Sequence, residues 1–114
     1  MRRETGRWGE EEAARYLERK GYRVLERNYL TRQGEIDLVC EKNGLLVFVE
    51  VRTRSSDRFG SPEESVTAGK ISRLRRTALH YLQAHGALRG FRFDVVAVRL
   101  TDGRPTFNHI EGAF

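Results

Sequence analysis

The sequence predicts an α/β domain in which helices pack on a mixed sheet, with the element order αβββαβ. Two segments carry apolar residues at helical spacing, and four shorter segments alternate or run apolar in the way that strands do. Between the second and the third strand stands Asn43-Gly44, the strongest short signal for a two-residue hairpin turn. Together these observations indicate one domain over residues 1–114, an antiparallel meander followed by a helical crossover to a parallel fourth strand.

The two helices are indicated by their apolar stripes and by the glycines that follow them. The first helix is predicted over residues 5–20, because an apolar stripe runs along it and Gly21 is suited to its C-terminus. The second helix is predicted to begin at Glu63 or Val66 and to end just before Gly86.

The strands are shorter and are separated by turn residues. They are predicted over residues 22–30, 34–41, 45–53 and 91–100, and a short fifth strand is expected over residues 106–110. The fourth strand has apolar residues on both of its faces, which predicts a central position covered by helices.

The charge distribution favours a polyanionic partner. The formal net charge is +5, and no acidic residue occurs between Ser65 and Phe93. The same window holds six lysine and arginine residues: Lys70, Arg73, Arg75, Arg76, Arg89 and Arg92. Such a block is typical of nucleic-acid binding, and it is equally typical of a solvated helix face.

Cysteine content and hydropathy narrow the class of protein further. Cys40 is the single cysteine, which excludes an internal disulfide framework and suits a reducing cytoplasm. The longest apolar run, residues 45–49, is far too short to span a bilayer, and no secretory signal is visible. We therefore expect a cytoplasmic protein without a membrane segment.

The two hairpin strands each carry one carboxylate inside an apolar run. If Asn43-Gly44 forms the loop, Asp37 lies opposite Glu50 on the same face, with Cβ atoms roughly 4.5–5.5 Å apart. The repulsion can be relieved by a proton on one group, by a basic side chain, or by a divalent cation, for which the carbonyl of Val51 offers a further oxygen. A turn longer by one residue would separate the pair.

Two further charged residues occupy positions that need an explanation. Glu10 extends the apolar stripe of the first helix, a poor place for an idle charge, although it also favours the positive helix N-terminus. Arg52 lies two residues past Glu50 and on the same face. It either pairs across the hairpin with Glu35 or binds a phosphate beside a metal ion.

These residues resemble known motifs. Asp37 followed by Glu50-Val51-Arg52 is similar to the acid and Glu-x-basic pattern of the PD-(D/E)xK nuclease superfamily. Five ordered blocks resemble the YraN family of uncharacterised bacterial proteins, which is similar in outline to archaeal Holliday-junction resolvases. The blocks are WGEEEAARYLERKGYRVLERNY, GEIDLV, LVFVEVRTR, SVTAGKISRL and RFDVVAV.

The resemblance implies a single nuclease-like domain with a restriction-endonuclease-like core. It implies one or two Mg²⁺ or Mn²⁺ ions at Asp37 and Glu50, joined by Glu10, and a supporting role for Lys70. The superfamily's usual residue at the position of Arg52 is lysine. Because arginine stays protonated, water activation would fall to the metal or to Lys70.

The function expected is that of a nucleic-acid-binding protein and Mg²⁺-dependent endonuclease acting on structured or single-stranded DNA. The alternative is a catalytically inactive binding module on the same fold, and a homodimer is expected by analogy with the resolvases. The expected catalytic residues are Asp37, Glu50, Arg52 and Lys70, and the expected metal ligands are Glu10, Asp37, Glu50 and Val51. The expected nucleic-acid contacts are Arg52, Arg54, Arg58, Lys70, Arg73 and Arg76.

Overall fold

Two helices pack on opposite faces of a five-stranded sheet. The computed structural model describes residues 2–54, 66–87 and 89–114, with side chains from residue 6 onward. The elements are α1 (Arg2–Arg19), β1 (Arg23–Thr31), β2 (Gly34–Lys42), β3 (Leu45–Arg54), α2 (Ala68–His85), β4 (Phe91–Thr101) and β5 (Arg104–Ile110). Among the described residues, no helix combines the length and the apolar character that crossing a bilayer requires.

The strands lie in the order β1-β2-β3-β4-β5, and only the β3–β4 pair is parallel. The predicted αβββαβ order, the antiparallel meander and the parallel fourth strand are therefore confirmed. The predicted fifth strand pairs antiparallel with β4 and begins at Arg104, two residues earlier than expected. Because β5 is an added edge, β4 is enclosed between two neighbours, as its two apolar faces predicted.

The start of α2 differs from the prediction. The helix begins at Ala68, because the Thr67 hydroxyl caps it by accepting the backbone N–H of Lys70 at 3.2 Å. Val66 lies before the helix and is buried in the core, and Glu63 lies outside the described residues. The cap places Lys70 in the first helical turn.

The β2–β3 hairpin has the predicted turn. Asn43 and Gly44 both have positive φ angles, 54° and 85° respectively. Lys42 consequently pairs with Leu45, and the register continues without a shift as far as Leu38 opposite Val49. This part of the predicted register is confirmed.

The strands send alternate side chains into two separate cores. On one side of the sheet, the α1 face, Leu17 packs in one cluster with Val47 and Val49. On the other side, the α2 face, Leu74 packs in one cluster with Phe48. Each face is therefore defined by the helix that covers it, and along β3 residues two apart share a face.

Gly9 allows α1 to approach β3 closely. The residue is buried, and a methyl group built on its Cα would overlap the hydroxyl of Thr53. Glu10 follows Gly9 directly in the helix. The close approach of the two backbones therefore also determines how near Glu10 lies to the sheet.

Asp94 joins β4 to β5 and to the C-terminal segment. Its side chain is fully buried and accepts hydrogen bonds from Arg92 Nε at 2.7 Å, His109 Nε2 at 2.7 Å and Gly112 N at 3.1 Å. Burial alone would raise the pKa of Asp94, but the bonds from His109, Arg92 and Gly112 outweigh it and lower that pKa. Arg92 also donates to the hydroxyl of Tyr22. Asp94 and its donors therefore form a hydrogen-bond network that holds β4, β5 and the C-terminal segment together.

We expect Gly9→Ala to lower the free energy of unfolding by about 1–3 kcal/mol, because the added methyl group must push α1 away from β3. Urea unfolding measures the change. Gly6→Ala is the matched control, since nothing lies within 4 Å of its added methyl group, and helix propensity alone should leave it equal or more stable. Thr53→Ala combined with Gly9→Ala should recover part of the loss. Equal stability of the two alanine variants would contradict the close-packing argument.

Candidate active site at the fork between two strands

The ladder between β2 and β3 stops where the two acidic residues begin. Its last pair is Leu38 with Val49. One residue further, Oδ2 of Asp37 accepts the backbone N–H of Val51 at 2.8 Å, in the place that a backbone carbonyl would otherwise take. An uninterrupted hairpin would next pair Ile36 with Val51, but Ile36 packs on the α2 face and Val51 on the α1 face. The Asp37 side chain thus ends the β2–β3 ladder, and we call the place where the two strands part the fork.

Asp37 and Glu50 lie side by side at this fork. The Glu50 side chain is almost fully buried, at 4% exposed, and it hydrogen-bonds with Asp37. Burial, followed by the charge of Glu50, raises the pKa of Asp37 to about 8, while the bond from Val51 works in the opposite direction. A hydrogen bond between two carboxyl groups needs a proton on one of them. Asp37 therefore keeps its proton at neutral pH in the ion-free site.

Two basic side chains converge on the other partner of this pair. Nζ of Lys70 lies 3.0 Å from Oε2 of Glu50, and a terminal guanidinium nitrogen of Arg52 lies 3.2 Å from the same oxygen. Lys70 arrives from the capped first turn of α2, and Arg52 from the next position on the same face of β3. The structure thus brings together all four residues that the sequence predicted as catalytic.

Glu10 completes the acidic surroundings from the α1 helix. Burial raises its pKa, the charges of Glu35 and Glu50 add to this, and a hydrogen bond with Asn28 opposes it. The charge of Glu10 also contributes to the raised pKa of Asp37. Its position on the apolar stripe therefore does bring it to the sheet beside the carboxylate pair.

Asn28 is a site residue that the sequence analysis missed. It lies on β1 between Arg27, which pairs with Leu38, and Tyr29, which pairs with Ile36, so it stands opposite Asp37. Its φ angle of 52° is in the left-handed region, which asparagine tolerates better than most residues. An asparagine inside a predicted strand was the available signal.

The donor groups fit a hard divalent cation that keeps much of its water. As placed, no three Asp, Glu, His or Cys side chains of the described residues are close enough to hold a metal ion. Mg²⁺ is commonly bound through one or two carboxylates, with water and substrate oxygens completing its octahedron. The adjacent carboxyl groups of Asp37 and Glu50 and the carbonyl of Val51 suit that pattern. The role of Glu10 as a direct ligand stays a prediction.

The residues predicted to bind nucleic acid lie further along the two elements that carry Glu50 and Lys70. Arg54 ends β3, four residues beyond Glu50 on the α2 face. Arg73 and Arg76 are exposed on α2, about one and two turns after Lys70. Arg58 lies outside the described residues.

The chain is similar over nearly its whole length to proteins of one family. The model of the uncharacterised protein family UPF0102 matches residues 9–98, a range that includes every carboxylate of the site and Lys70. A UPF0102 protein of Syntrophomonas wolfei subsp. wolfei is 55% identical over 115 residues, which cover 100% of both chains. A UPF0102 protein of Myxococcus xanthus is 50% identical over 115 residues, 99% of this chain and 90% of the relative. One of Moorella thermoacetica is 55% identical over 100 residues, 87% and 83% of the two chains.

We expect Asp37→Asn to stabilise the ion-free protein, increasingly so as pH rises. The pKa of Asp37 is about 8 in the folded state, against an ordinary value of 3.8 for the unfolded chain, so the folded state binds more protons between these limits. Wild-type stability therefore falls as pH rises from about 4 to about 8, and asparagine removes this loss. The gain at pH 8 should be about 1–3 kcal/mol, part of the full linkage value.

Urea unfolding in EDTA across that pH range measures the effect. Asp102→Asn is the control, because Asp102 is exposed in the β4–β5 turn, away from the carboxyl pair, and its removal should leave the pH dependence nearly unchanged. A constant difference between Asp37→Asn and wild type at every pH would contradict the raised pKa.

Proposed function

The chain belongs to the uncharacterised protein family UPF0102, and since this description assigns no activity, we propose a function from the site itself: divalent-metal-dependent phosphodiester cleavage in structured or single-stranded DNA. The observation that carries the proposal is the pair of adjacent carboxyl groups of half-buried Asp37 and buried Glu50, with Lys70 and Arg52 converging on Glu50.

This arrangement is costly as a purely structural feature. Burying two adjacent carboxyl groups raises the pKa of Asp37 from 3.8 to about 8, which opposes folding at neutral pH. Groups with pKa values perturbed by burial and by a like charge are concentrated at functional sites. The Asp94 network shows the contrast, because there the hydrogen bonds lower the pKa of the buried carboxyl group.

Asp37 and Glu50 would hold the cation through their carboxylates, and Val51 through its carbonyl oxygen. A bound divalent cation lowers the pKa of a coordinated water and neutralises charge on the phosphate. The β2–β3 ladder ends at these two carboxyl groups, while β2 stays paired with β1 and β3 with β4 beyond them.

The basic residues of the site divide the remaining work. Arg52 cannot act as a base, because its guanidinium stays protonated. The planar guanidinium instead suits the oxygens of the scissile phosphate. Lys70, once released from Glu50, would orient the attacking water or move its proton. Arg54, Arg73 and Arg76 hold the flanking backbone by charge.

A second candidate function is nucleic-acid binding without catalysis. It is favoured by Arg52, which stands where the resembling nucleases carry lysine, and by the state of Glu50. Both Lys70 and Arg52 contact the same oxygen of Glu50, so its charge is already balanced without a metal ion. In this alternative, the carboxylates hold the basic side chains of the binding surface in position.

Cleavage of a panel of branched, flapped and single-stranded DNAs in Mg²⁺ or Mn²⁺ separates the two candidates. We expect wild type to cleave and Asp37→Asn to lose at least about 100-fold in rate, because a ligand and its charge are removed. Mn²⁺ should also raise the melting temperature of wild type but not of Asp37→Asn. Asp102→Asn should behave as wild type does.

The outcomes are distinct. Salt-sensitive DNA binding by both proteins, with no cleavage by either, would establish the binding module in place of the enzyme. Affinity for DNA in neither protein would contradict both candidates.

Lys70→Met should lower kcat by about 10²–10⁴-fold and leave KM for DNA within a few-fold, because it removes a group acting on the reacting water. Arg73→Gln, one turn along the same helix, should instead raise KM with little change in kcat, as loss of a backbone contact does. Single-turnover and steady-state cleavage rates measure both. Equal effects of the two variants on KM would remove Lys70 from the chemical step.

A further inference from the structure

The α2 face of the sheet changes in character along β4 and β5. At the level where Phe93 and Val95 lie in the strand, this face is an apolar core that also includes Ile110 and the C-terminal Phe114. Further along, the same face carries polar and charged residues, most of them exposed: Arg99 on β4, and Asn108, Thr106 and Arg104 on β5.

Strand register brings these residues next to the candidate site. Arg54 of β3 pairs with Arg99 of β4, and Arg99 pairs with Thr106 of β5. Arg104 pairs with Thr101, two residues past Arg99 on the same face. We call the surface formed by Arg54, Arg99, Thr106 and Arg104 the β-shelf.

The β-shelf continues the face that carries Glu50. Arg54 lies four residues beyond Glu50 on β3, about 13 Å along the strand at 3.3 Å per residue. Three strands spaced about 4.8 Å apart give the shelf a width of about 10 Å. It therefore starts about 13 Å from Glu50 along β3 and is broad enough for the sugar-phosphate backbone of one strand.

Charge and chemistry on the β-shelf suit phosphates rather than bases. Three of its four residues are arginines, whose planar fork matches phosphate oxygens, and the fourth offers a hydroxyl donor. The aromatic residue of β5, Phe107, packs on the opposite, α1 face, so it offers no stacking surface here.

We infer that the β-shelf binds the nucleic-acid backbone next to the cleavage site, with Arg99 and Arg104 as phosphate-binding residues. The inference rests on the proposed nucleic-acid binding but not on catalysis. Because contacts to the sugar-phosphate backbone carry no sequence information, the contribution of the shelf is independent of sequence. It extends the binding surface from α2, across the carboxylate pair, to the edge strand β5.

Binding of a short fluorescent DNA duplex and of its single strand, measured by anisotropy in EDTA over a range of salt concentrations, tests the inference. The variant is Arg99→Gln/Arg104→Gln, and Arg104→Gln alone serves if the double variant unfolds, because Arg104 is fully on the surface. The matched control is Arg19→Gln/Arg89→Gln, which removes the same charge from exposed positions on α1 and beside the β2–β3 turn.

We expect the shelf variant to bind DNA about tenfold more weakly than wild type, with a log–log salt slope reduced by about 1 to 2, and the control to bind nearly as wild type does. Equal weakening by the control would show that only net charge matters and would overturn the inference, as would an unchanged slope in the shelf variant. Wild type without DNA affinity would overturn both the inference and the proposed binding. If wild type binds DNA as expected but does not cleave it, only the proposed activity is refuted.

Discussion

The hydrogen bond from the Val51 amide to the Asp37 carboxyl group is the contact on which the candidate site depends. An amide inside a buried sheet must have an acceptor, and normally the neighbouring strand supplies a carbonyl. Here a side chain supplies it, at 2.8 Å, so the backbones of β2 and β3 are free to part after Leu38 and Val49. The Asp37 side chain thus stabilises the separation of the two strands at the candidate site.

The electrostatic cost of placing Asp37 beside Glu50 is offset by residues of several elements. Asp37 retains a proton because burial and Glu50 raise its pKa, and the charge of Glu50 is balanced by Lys70 from α2 and by Arg52 from its own strand. Each of these compensations is one that a divalent cation could replace. The charge balance of the site thus depends on one raised pKa and on two basic side chains.

The fold was predictable from the sequence because it depends on local signals. Asn43-Gly44 determined the hairpin and its register, and the apolar content of residues 91–100 predicted an enclosed strand. The end of the ladder was not predictable, because alternation cannot show where a side chain outcompetes a backbone carbonyl. The contact of Lys70 with Glu50 joins residues 20 positions apart in the chain and depends on where Thr67 starts a helix, which the pattern placed too early.

The alternation of side chains along β3 decides which of its residues lie on each face of the sheet. Glu50, Arg52 and Arg54 share the α2 face, whereas Val51 and Thr53 between them face α1. Since a slip of one residue would exchange the two faces, the two-residue turn at Asn43-Gly44 decides on which side of the sheet the charges lie. On the α1 face Asp94 and its hydrogen-bond donors close the core, while on the α2 face the charge of Glu50 is balanced by Lys70 and Arg52. A turn several residues away is in this way a determinant of the site.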